Sequence, residues 1–270
     1  MASLVDQLRV APGKAPGLSK RDPGDRLGLD TKDNAREIVE GLIAELDGLH
    51  NRLWAESKRS VLLVLQGLDT SGKDGTIRRV LTGLNPQGTQ VASFKAPNDQ
   101  ELAHDYLWRV HEVCPARGHL AVFNRSHYED VLAARFVGAA THEQCRRRYR
   151  HLREFERLLT DEGTTIVKVF LHLSKGEQRA RLQSRIEDPA KNWKFRMDDL
   201  ETRSHWDDYM DAYEEVIAET STDHAPWLVV PADRKWVRDV AVATVLVESL
   251  RRLDPQIPPA DPDLEGIVVD

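Results

Sequence analysis

The sequence predicts an α/β fold with a mostly parallel sheet of about five strands. Two observations carry that expectation: apolar runs of strand length with no polar alternation, and stretches of helical period between them. The chain has 270 residues, 40% apolar and 30% charged. That balance excludes a disordered or fibrous protein and leaves ample chain for a core without disulfides.

In chain order, residues 1–30 hold scattered Pro, Gly and Asp without periodicity and read as an extended N-terminal arm. A helix is predicted from Asn34, with Glu37 as capping-box partner and Ile38, Leu42, Leu46, Leu49 and Leu53 on one face. Ser60–Gln66 (SVLLVLQ) is the first strand, of the type buried on both sides of a sheet. Further strands are predicted over Thr89–Phe94, His119–Phe123, Thr165–Leu173 and Trp227–Val230. Helical period marks 73–84, 99–112, 126–137, 141–161, 175–187, 199–219 and 234–253. Nothing before Leu253 reads as an interdomain linker, so 31–253 is one domain. Within it, 174–221 is rich in charge and poor in strand signal, as a helical lid over one end of the sheet would be.

The net charge of −6 argues at first against a polyanionic partner. Five acids (Asp254, Asp261, Asp263, Glu265, Asp270) lie in a 254–270 tail that has four prolines and no Lys or Arg. Taking them from the total leaves −1 for the first 253 residues, so the placement of charge matters more than its sum. Cys114 and Cys145 are too few for a disulfide framework and predict a reducing, cytoplasmic setting. No signal peptide or membrane span is read, and neither a membrane nor a nucleic-acid partner is expected.

The strongest local signal follows the first strand: Gly67-Leu68-Asp69-Thr70-Ser71-Gly72-Lys73-Asp74-Gly75-Thr76. Gly67 and Gly72 frame a GxxxxGK loop that opens a helix. Such a loop turns backbone N–H groups inward around phosphate oxygens, and the helix N-terminus adds partial positive charge. Lys73 is expected to reach the terminal phosphates as a point charge. Asp74 replaces the usual metal-binding Ser/Thr after the lysine, and the 119–123 strand ends in Asn124-Arg125 where a metal-binding Asp is usual. Carboxylates have thus moved into the loop. An acid inside a phosphate cradle repels phosphate unless a cation intervenes, so Asp69 predicts a Mg²⁺ ion or a hold on the attacking group. A turn-stabilising side chain is the plainer reading of Asp69, as N-terminal helix stabilisation is of Asp74.

Two weaker constellations add cations. Asn124-Arg125-Ser126-His127-Tyr128-Glu129 lies at a strand's carboxyl end, where open α/β sheets bind ligands. Arg125 there is a natural phosphate clamp, or merely an i,i+4 partner of Glu129. Arg179, Arg181, Arg185, Lys191, Lys194, Arg196 and Arg203, interleaved with Trp193 and Trp206, form either a solvated surface or a lid bringing guanidinium groups over phosphates. Arg146-Arg147-Arg148 with Arg150 and Arg153 reads as solvated surface, or as a track for a long polyanion.

Together these segments resemble the polyphosphate kinase 2 family. The matching residues are the 67–76 loop, Asn85-Pro86-Gln87-Gly88, Ser93-Phe94-Lys95, His104-Asp105-Tyr106-Leu107-Trp108-Arg109 and Phe123 through Glu129. They continue with Glu187-Asp188-Pro189, Trp193-Lys194, Asp199-Leu200-Glu201, Arg203, Trp206 and Ala225-Pro226-Trp227. The resemblance runs from about 30 to 255 and is nearest the class III subgroup, whose members phosphorylate both AMP and ADP. It implies a P-loop kinase-like, three-layer α/β/α fold over 31–253. It also implies Mg²⁺-dependent transfer of phosphate between inorganic polyphosphate and AMP, ADP or ATP, and a homo-oligomer is expected. By the same resemblance Asp69, Lys73, Arg125, Glu129 and Arg185 are the catalytic candidates, with Asp69 also the metal ligand. Gly67, Thr70, Ser71, Gly72, Asp74, Gly75, Thr76, Lys95, Asn124, Arg181, Lys194 and Arg203 are the phosphate- and nucleotide-binding candidates. An ATP-dependent nucleoside or nucleotide kinase of the same fold is the alternative, and a nonenzymatic phosphate-sensing module the third reading.

Overall fold

The computed structural model describes residues 3–265 and 267–269; Met1 and Ala2 of the arm, and Gly266 and Asp270 of the tail, lie outside the described residues. Five strands, β1 (Ser60–Gln66), β2 (Thr89–Ser93), β3 (Leu120–Asn124), β4 (Thr164–His172) and β5 (Trp227–Pro231), form one sheet in the order β2-β3-β1-β4-β5. Every pairing is parallel. Six of the helices are α1 (Lys32–Glu56), α2 (Lys73–Val80), α3 (His142–Asp161), α4 (Lys175–Glu187), α5 (Trp206–Thr220) and α6 (Lys235–Leu253).

The apolar run of β1 is explained by its two faces. Val61, Leu63 and Leu65 pack with α1 and α6 residues such as Leu46, Leu53, Val242 and Leu246. Leu62 and Val64 belong to the opposite cluster, with Tyr149, Leu152 and Phe155 of α3 and Val216 and Ile217 of α5. Side chains alternate across a strand, so a strand covered on both faces needs apolar residues at every position. The three-layer expectation holds. The chain leaves β1 for the edge strand β2, returns through β3, then crosses to β4 and β5 on the other side. That reversal makes a switch point beside β1, where such sheets open a crevice at their carboxyl ends.

Several predicted boundaries shift for local reasons. The first helix starts at Lys32, because the Thr31 hydroxyl accepts from the Asn34 amide; Asn34 is inside the helix and is not its cap. The 99–112 and 126–137 helices are each two short pieces, Asp99–Leu102 with Trp108–His111, and the 3-10 turn His127–Asp130 with Ala133–Phe136. The 174–221 segment divides: α5 is a core helix, with Trp206, Ala212, Tyr213, Val216 and Ile217 buried. Only the part between α4 and α5 has the exposed character of a lid, with Trp193 76% and Met197 71% exposed.

Residues 3–30 are irregular apart from the short helix Leu4–Leu8 and the 3-10 turn Leu18–Lys20, but they bury Val5, Leu8, Val10 and Leu18. Val10 donates its amide to the Trp227 carbonyl on the free edge of β5 (2.9 Å). The amides of Gly17 and Leu18 both donate to the Glu214 carboxylate, at 2.8 and 2.9 Å. His172, at the end of β4, is buried here, and burial pulls its pKa from 6.5 to about 4, with Arg21 helping and Asp233 and Glu214 opposing. An imidazole kept neutral in the folded state favours folding fully above pH 6.5, and that contribution is lost as pH falls through about 4. Stability is therefore expected to drop by up to about 3 kcal/mol between pH 7 and 4 from this group. Denaturant titration of His172→Gln should show a flatter pH profile, and parallel profiles for variant and wild type would refute the assignment.

Candidate active site

The site is built from strand tips. The β1 register sets Leu65 beside Asn124 of β3 and Gln66 beside Phe170 of β4, so the 67–72 loop emerges between two neighbouring tips. Gly67 takes φ +148, and a Cβ there would lie 2.8 Å from Ser71 Oγ and 2.9 Å from the Leu171 carbonyl. The loop then enters α2. Among the described residues, none accepts a hydrogen bond from the amides of Gly72, Lys73, Asp74 or Gly75; the first intrahelical bond runs from the Thr76 amide to the Gly72 carbonyl. Four amides at a helix start, with the dipole behind them, are suited to cradle an anion. The Thr70 and Ser71 hydroxyls in the same loop are buried without a partner.

Around this cradle the structure gathers six of the predicted residues. Lys73 Nζ donates to the Gly67 carbonyl at 2.7 Å and the Leu68 carbonyl at 3.4 Å, closing the loop from within. Arg125 Nη2 donates to Asp69 Oδ1 at 2.8 Å, and its Nη1 lies 3.7 Å from Glu129 Oε2. Asn124 Nδ2 donates to Asp74 Oδ1 at 2.7 Å, tying the β3 tip to the head of α2. Arg125 reaches this position by a left-handed backbone, φ +62, and Thr70 by φ +68. Non-glycine residues in that region are strained and persist where the surroundings fix them.

The charges are mutually dependent. Burial works to raise the Asp69 carboxyl, but Lys73 and Arg125 outweigh it and hold the group below the ordinary carboxylate range. Burial lowers the Lys73 ammonium, with Asp69 opposing. For Glu129 burial wins, and its pKa is raised despite Arg125 and Lys73. Burial acts to lower Arg125, yet Glu129 and Asp69 raise it overall, so it stays a cation. Two carboxylates that both feel the Lys73 charge are thus pushed in opposite directions.

The remaining candidates have other positions. Arg181 is not free to face phosphates from a lid. Its Nη1 donates to the Thr70 and Ser71 carbonyls, its Nη2 to those of Ala232 and Asp233, and its Nε to Glu177. Arg203 Nη1 donates to the Lys175 carbonyl and to Gln178 Oε1, while Gln178 Nε2 donates to the Asp69 carbonyl at 3.3 Å. It therefore braces the loop from behind. Thr76 bonds back to the Gly72 carbonyl, an intrahelical use of its hydroxyl. Arg185 pairs with Asp199 at 3.4 Å, and its charge helps hold Asp69 down. Lys95 is exposed at the β2 tip, where Arg109 holds its carbonyl at 2.9 Å. Lys194 Nζ lies over the exposed Trp193 ring, 5.0 Å from its centroid, and not on the loop.

Some site residues carried little sequence signal. Gln66, the one polar residue closing the β1 run, donates to Ser126 Oγ at 3.0 Å and accepts from the buried Tyr213 hydroxyl at 3.4 Å. Behind the β3 tip, Glu156 is fully buried and accepts from Tyr128 Oη (2.7 Å) and Lys168 Nζ (2.6 Å), with His127 Nε2 at 3.1 Å. This network anchors the 126–129 turn, and it gives His127 a structural place. Arg238 of α6, only 3% exposed, lies against Gly72.

Comparison with known proteins agrees with the geometry. The model of the family described as polyphosphate kinase 2 matches residues 29–258. The AMP/ADP-polyphosphate phosphotransferase of Meiothermus ruber is 51% identical over 267 residues, covering 98% of this chain and 100% of its own. The ADP-polyphosphate phosphotransferase of Rhodopseudomonas palustris is 42% identical, over 97% of this chain and 95% of its own. The crystal structure of polyphosphate kinase 2 from Arthrobacter aurescens superposes with a TM-score of 0.93 at 43% identity, covering 96% of this chain and 93% of that one. A loop of unpaired amides with its carboxylates inside, set in a chain matched from end to end by such relatives, leaves one conclusion: the protein belongs to the polyphosphate kinase 2 family.

Proposed function

We propose that this protein transfers phosphate between inorganic polyphosphate and adenine nucleotides, converting AMP to ADP and ADP to ATP. The observation that carries the reading is the cradle itself: four unpaired amides beside Lys73 and Arg125, with Asp69 and Asp74 inside it. A pure anion-binding module has no use for those acids. The names of the full-length relatives, which specify AMP, ADP and polyphosphate, support the choice of substrates.

The chemistry asks little of the side chains as bases. The attacking group is a terminal phosphate oxygen of AMP or ADP, already anionic, so no Ser or Cys nucleophile is needed. One P–O bond to the polyphosphate chain breaks as one to the nucleotide oxygen forms, and the chain leaves one phosphate shorter. Catalysis is then positioning and charge neutralisation. The 72–75 amides seat the phosphates, and Lys73 and Arg125 meet the charge that develops on the transferring group. Glu129 and Asp69 fix the Arg125 guanidinium from two sides.

A Mg²⁺ ion fits this donor set. Among the described residues, no group of three or more His, Cys, Asp or Glu side chains is placed to hold a metal alone. The hydrogen bond from Arg125 falls on Asp69 Oδ1, and Mg²⁺ characteristically takes one or two carboxylates and completes its shell with water and substrate phosphates. Asp69 would hold it, and the ion would neutralise phosphate charge.

Purified protein given polyphosphate, Mg²⁺ and AMP or ADP, without ATP, is expected to form ADP and ATP. Parallel reactions with ATP and a nucleoside panel should give nothing. Product only in the second set would make the protein an ATP-dependent nucleoside or nucleotide kinase. Tight phosphate binding without turnover on any donor would make it a sensing module.

A further inference from the structure

We propose that Arg238, with Arg181 beside it, is a positioning residue that sets the loop's affinity for phosphate through the Ser71–Gly72 peptide. The inference rests on the phosphate-transfer reading above and adds residues behind the cradle.

The Ser71 carbonyl is approached by two guanidinium groups from different helices. Arg181 Nη1 of α4 lies at 3.3 Å and also takes the Thr70 carbonyl at 2.9 Å. Arg238 Nη1 of α6 lies at 3.5 Å. In a trans peptide the carbonyl and the next amide point in opposite directions. Drawing the Ser71 carbonyl to the cations therefore turns the Gly72 amide away from them, and no described residue accepts from that amide. A charged donor on a carbonyl also polarises the peptide, making its N–H a stronger donor on the other side.

The glycines of the Gly-Lys-Asp-Gly stretch fit this arrangement. Gly72 has φ +104, and a Cβ on it would fall 1.8 Å from Arg238 Nη1; one on Gly75 would fall 3.3 Å from Nη2. A cradle that needed glycine only for its own turn would not need this space behind it. The fork of Arg238 is divided: Nε and Nη2 donate to the neighbouring Asp239 at 3.0 and 2.7 Å, and Nη1 is left to the loop. Since Asp239 is the adjacent residue, that ion pair ties no distant element together, as a purely structural arginine would. Arg181 carries Glu177 on its Nε in the same way. Burial lowers the proton affinity of Lys235, and Arg181 and Arg238 lower it further, so three cations crowd this side of the loop.

The test is calorimetric binding of tripolyphosphate, with melting temperature measured alongside. Arg238→Met, which keeps the stem and removes the charge, is expected to weaken binding about tenfold. Arg238→Lys should recover a large part of the loss, because the charge returns even though the fork does not. Asp239→Asn leaves the guanidinium in place and removes its neutralising partner, so it should tighten binding by roughly threefold. Equal affinities for the Met, Lys and wild-type proteins, or unchanged or weaker binding in Asp239→Asn, would overturn the inference. If Arg238→Met does not fold, the opposite shifts expected of the Lys and Asn variants still decide it. Wild-type protein that binds no tripolyphosphate would overturn the phosphate site itself, and this inference with it.

Discussion

Lys73→Ala is expected to lower kcat/KM for polyphosphate-dependent transfer by on the order of 10²-fold or more. Lys73 is the one ammonium inside the loop, buried and donating to the Gly67 and Leu68 carbonyls across it. Its removal takes away the charge proposed to meet the transferring phosphate. It also takes away the largest cationic influence on Asp69, whose carboxyl then rises toward or above its ordinary range. The Gly67 carbonyl, left unpaired, costs about 1–3 kcal/mol of stability, while the Leu68 carbonyl keeps the Ser71 amide. Melting temperature should therefore be read with the rate, and Lys73→Met, which fills the space but leaves the Gly67 carbonyl unpaired, should recover only part of the stability and none of the turnover. Near-wild-type kcat/KM in either variant would remove Lys73 from the site.

Arg125→Ala is expected to have an effect of the same order, 10²-fold or more, falling mainly on kcat. The guanidinium is held between Asp69 and Glu129, and it stays charged because those two carboxylates outweigh its burial. Its backbone gives a second, independent readout. At φ +62 an arginine carries strain that glycine does not, on the order of 1 kcal/mol. Arg125→Gly relieves that strain but, like Arg125→Ala, leaves Asp69 and Glu129 without their cation, so it is expected to melt above Arg125→Ala while losing the rate equally. A residue conserving only structure would behave in the reverse way, losing stability and keeping activity. Arg125→Lys restores charge without the two-pronged geometry and should recover little.

What was legible in the sequence is what local pattern dictates. The unbroken apolar run of β1 announced a strand covered on both faces, and the loop after it needed glycines at 67 and 72 for reasons visible in the motif. The Asn124-Arg125 tip was found because it follows a strand, and strands of this kind end at the ligand crevice. Arg181 was legible as a cation but not in its task. Helical spacing placed it near Arg185, whereas only tertiary structure shows its donors on the carbonyls of 70, 71, 232 and 233. Arg238 gave almost no signal: it stands with Asp239 at the head of the nearly unbroken apolar run 240–247, 166 residues beyond Gly72. The arm has the composition of a loop, which predicts an extended segment. Its four buried apolar residues are too widely spaced for any periodicity, and Val10 lies along the edge of a strand more than two hundred residues away. Likewise the six acids of α5 continue the charge-rich stretch before it and give it the look of a lid, while its buried stripe of Ala212, Tyr213, Val216 and Ile217 belongs to the core.

In the proposed reaction phosphate passes directly from polyphosphate to a nucleotide oxygen, with no covalent intermediate on the protein. The most direct measurement uses polyphosphate carrying ¹⁸O in its phosphate groups, incubated with ADP, Mg²⁺ and the protein, with mass analysis of nucleotide and protein together. Direct transfer gives, in the first turnovers, ATP whose γ-phosphate alone is labelled and protein of unchanged mass. Unlabelled ATP, no ATP, or a labelled phosphate retained on the chain would contradict it.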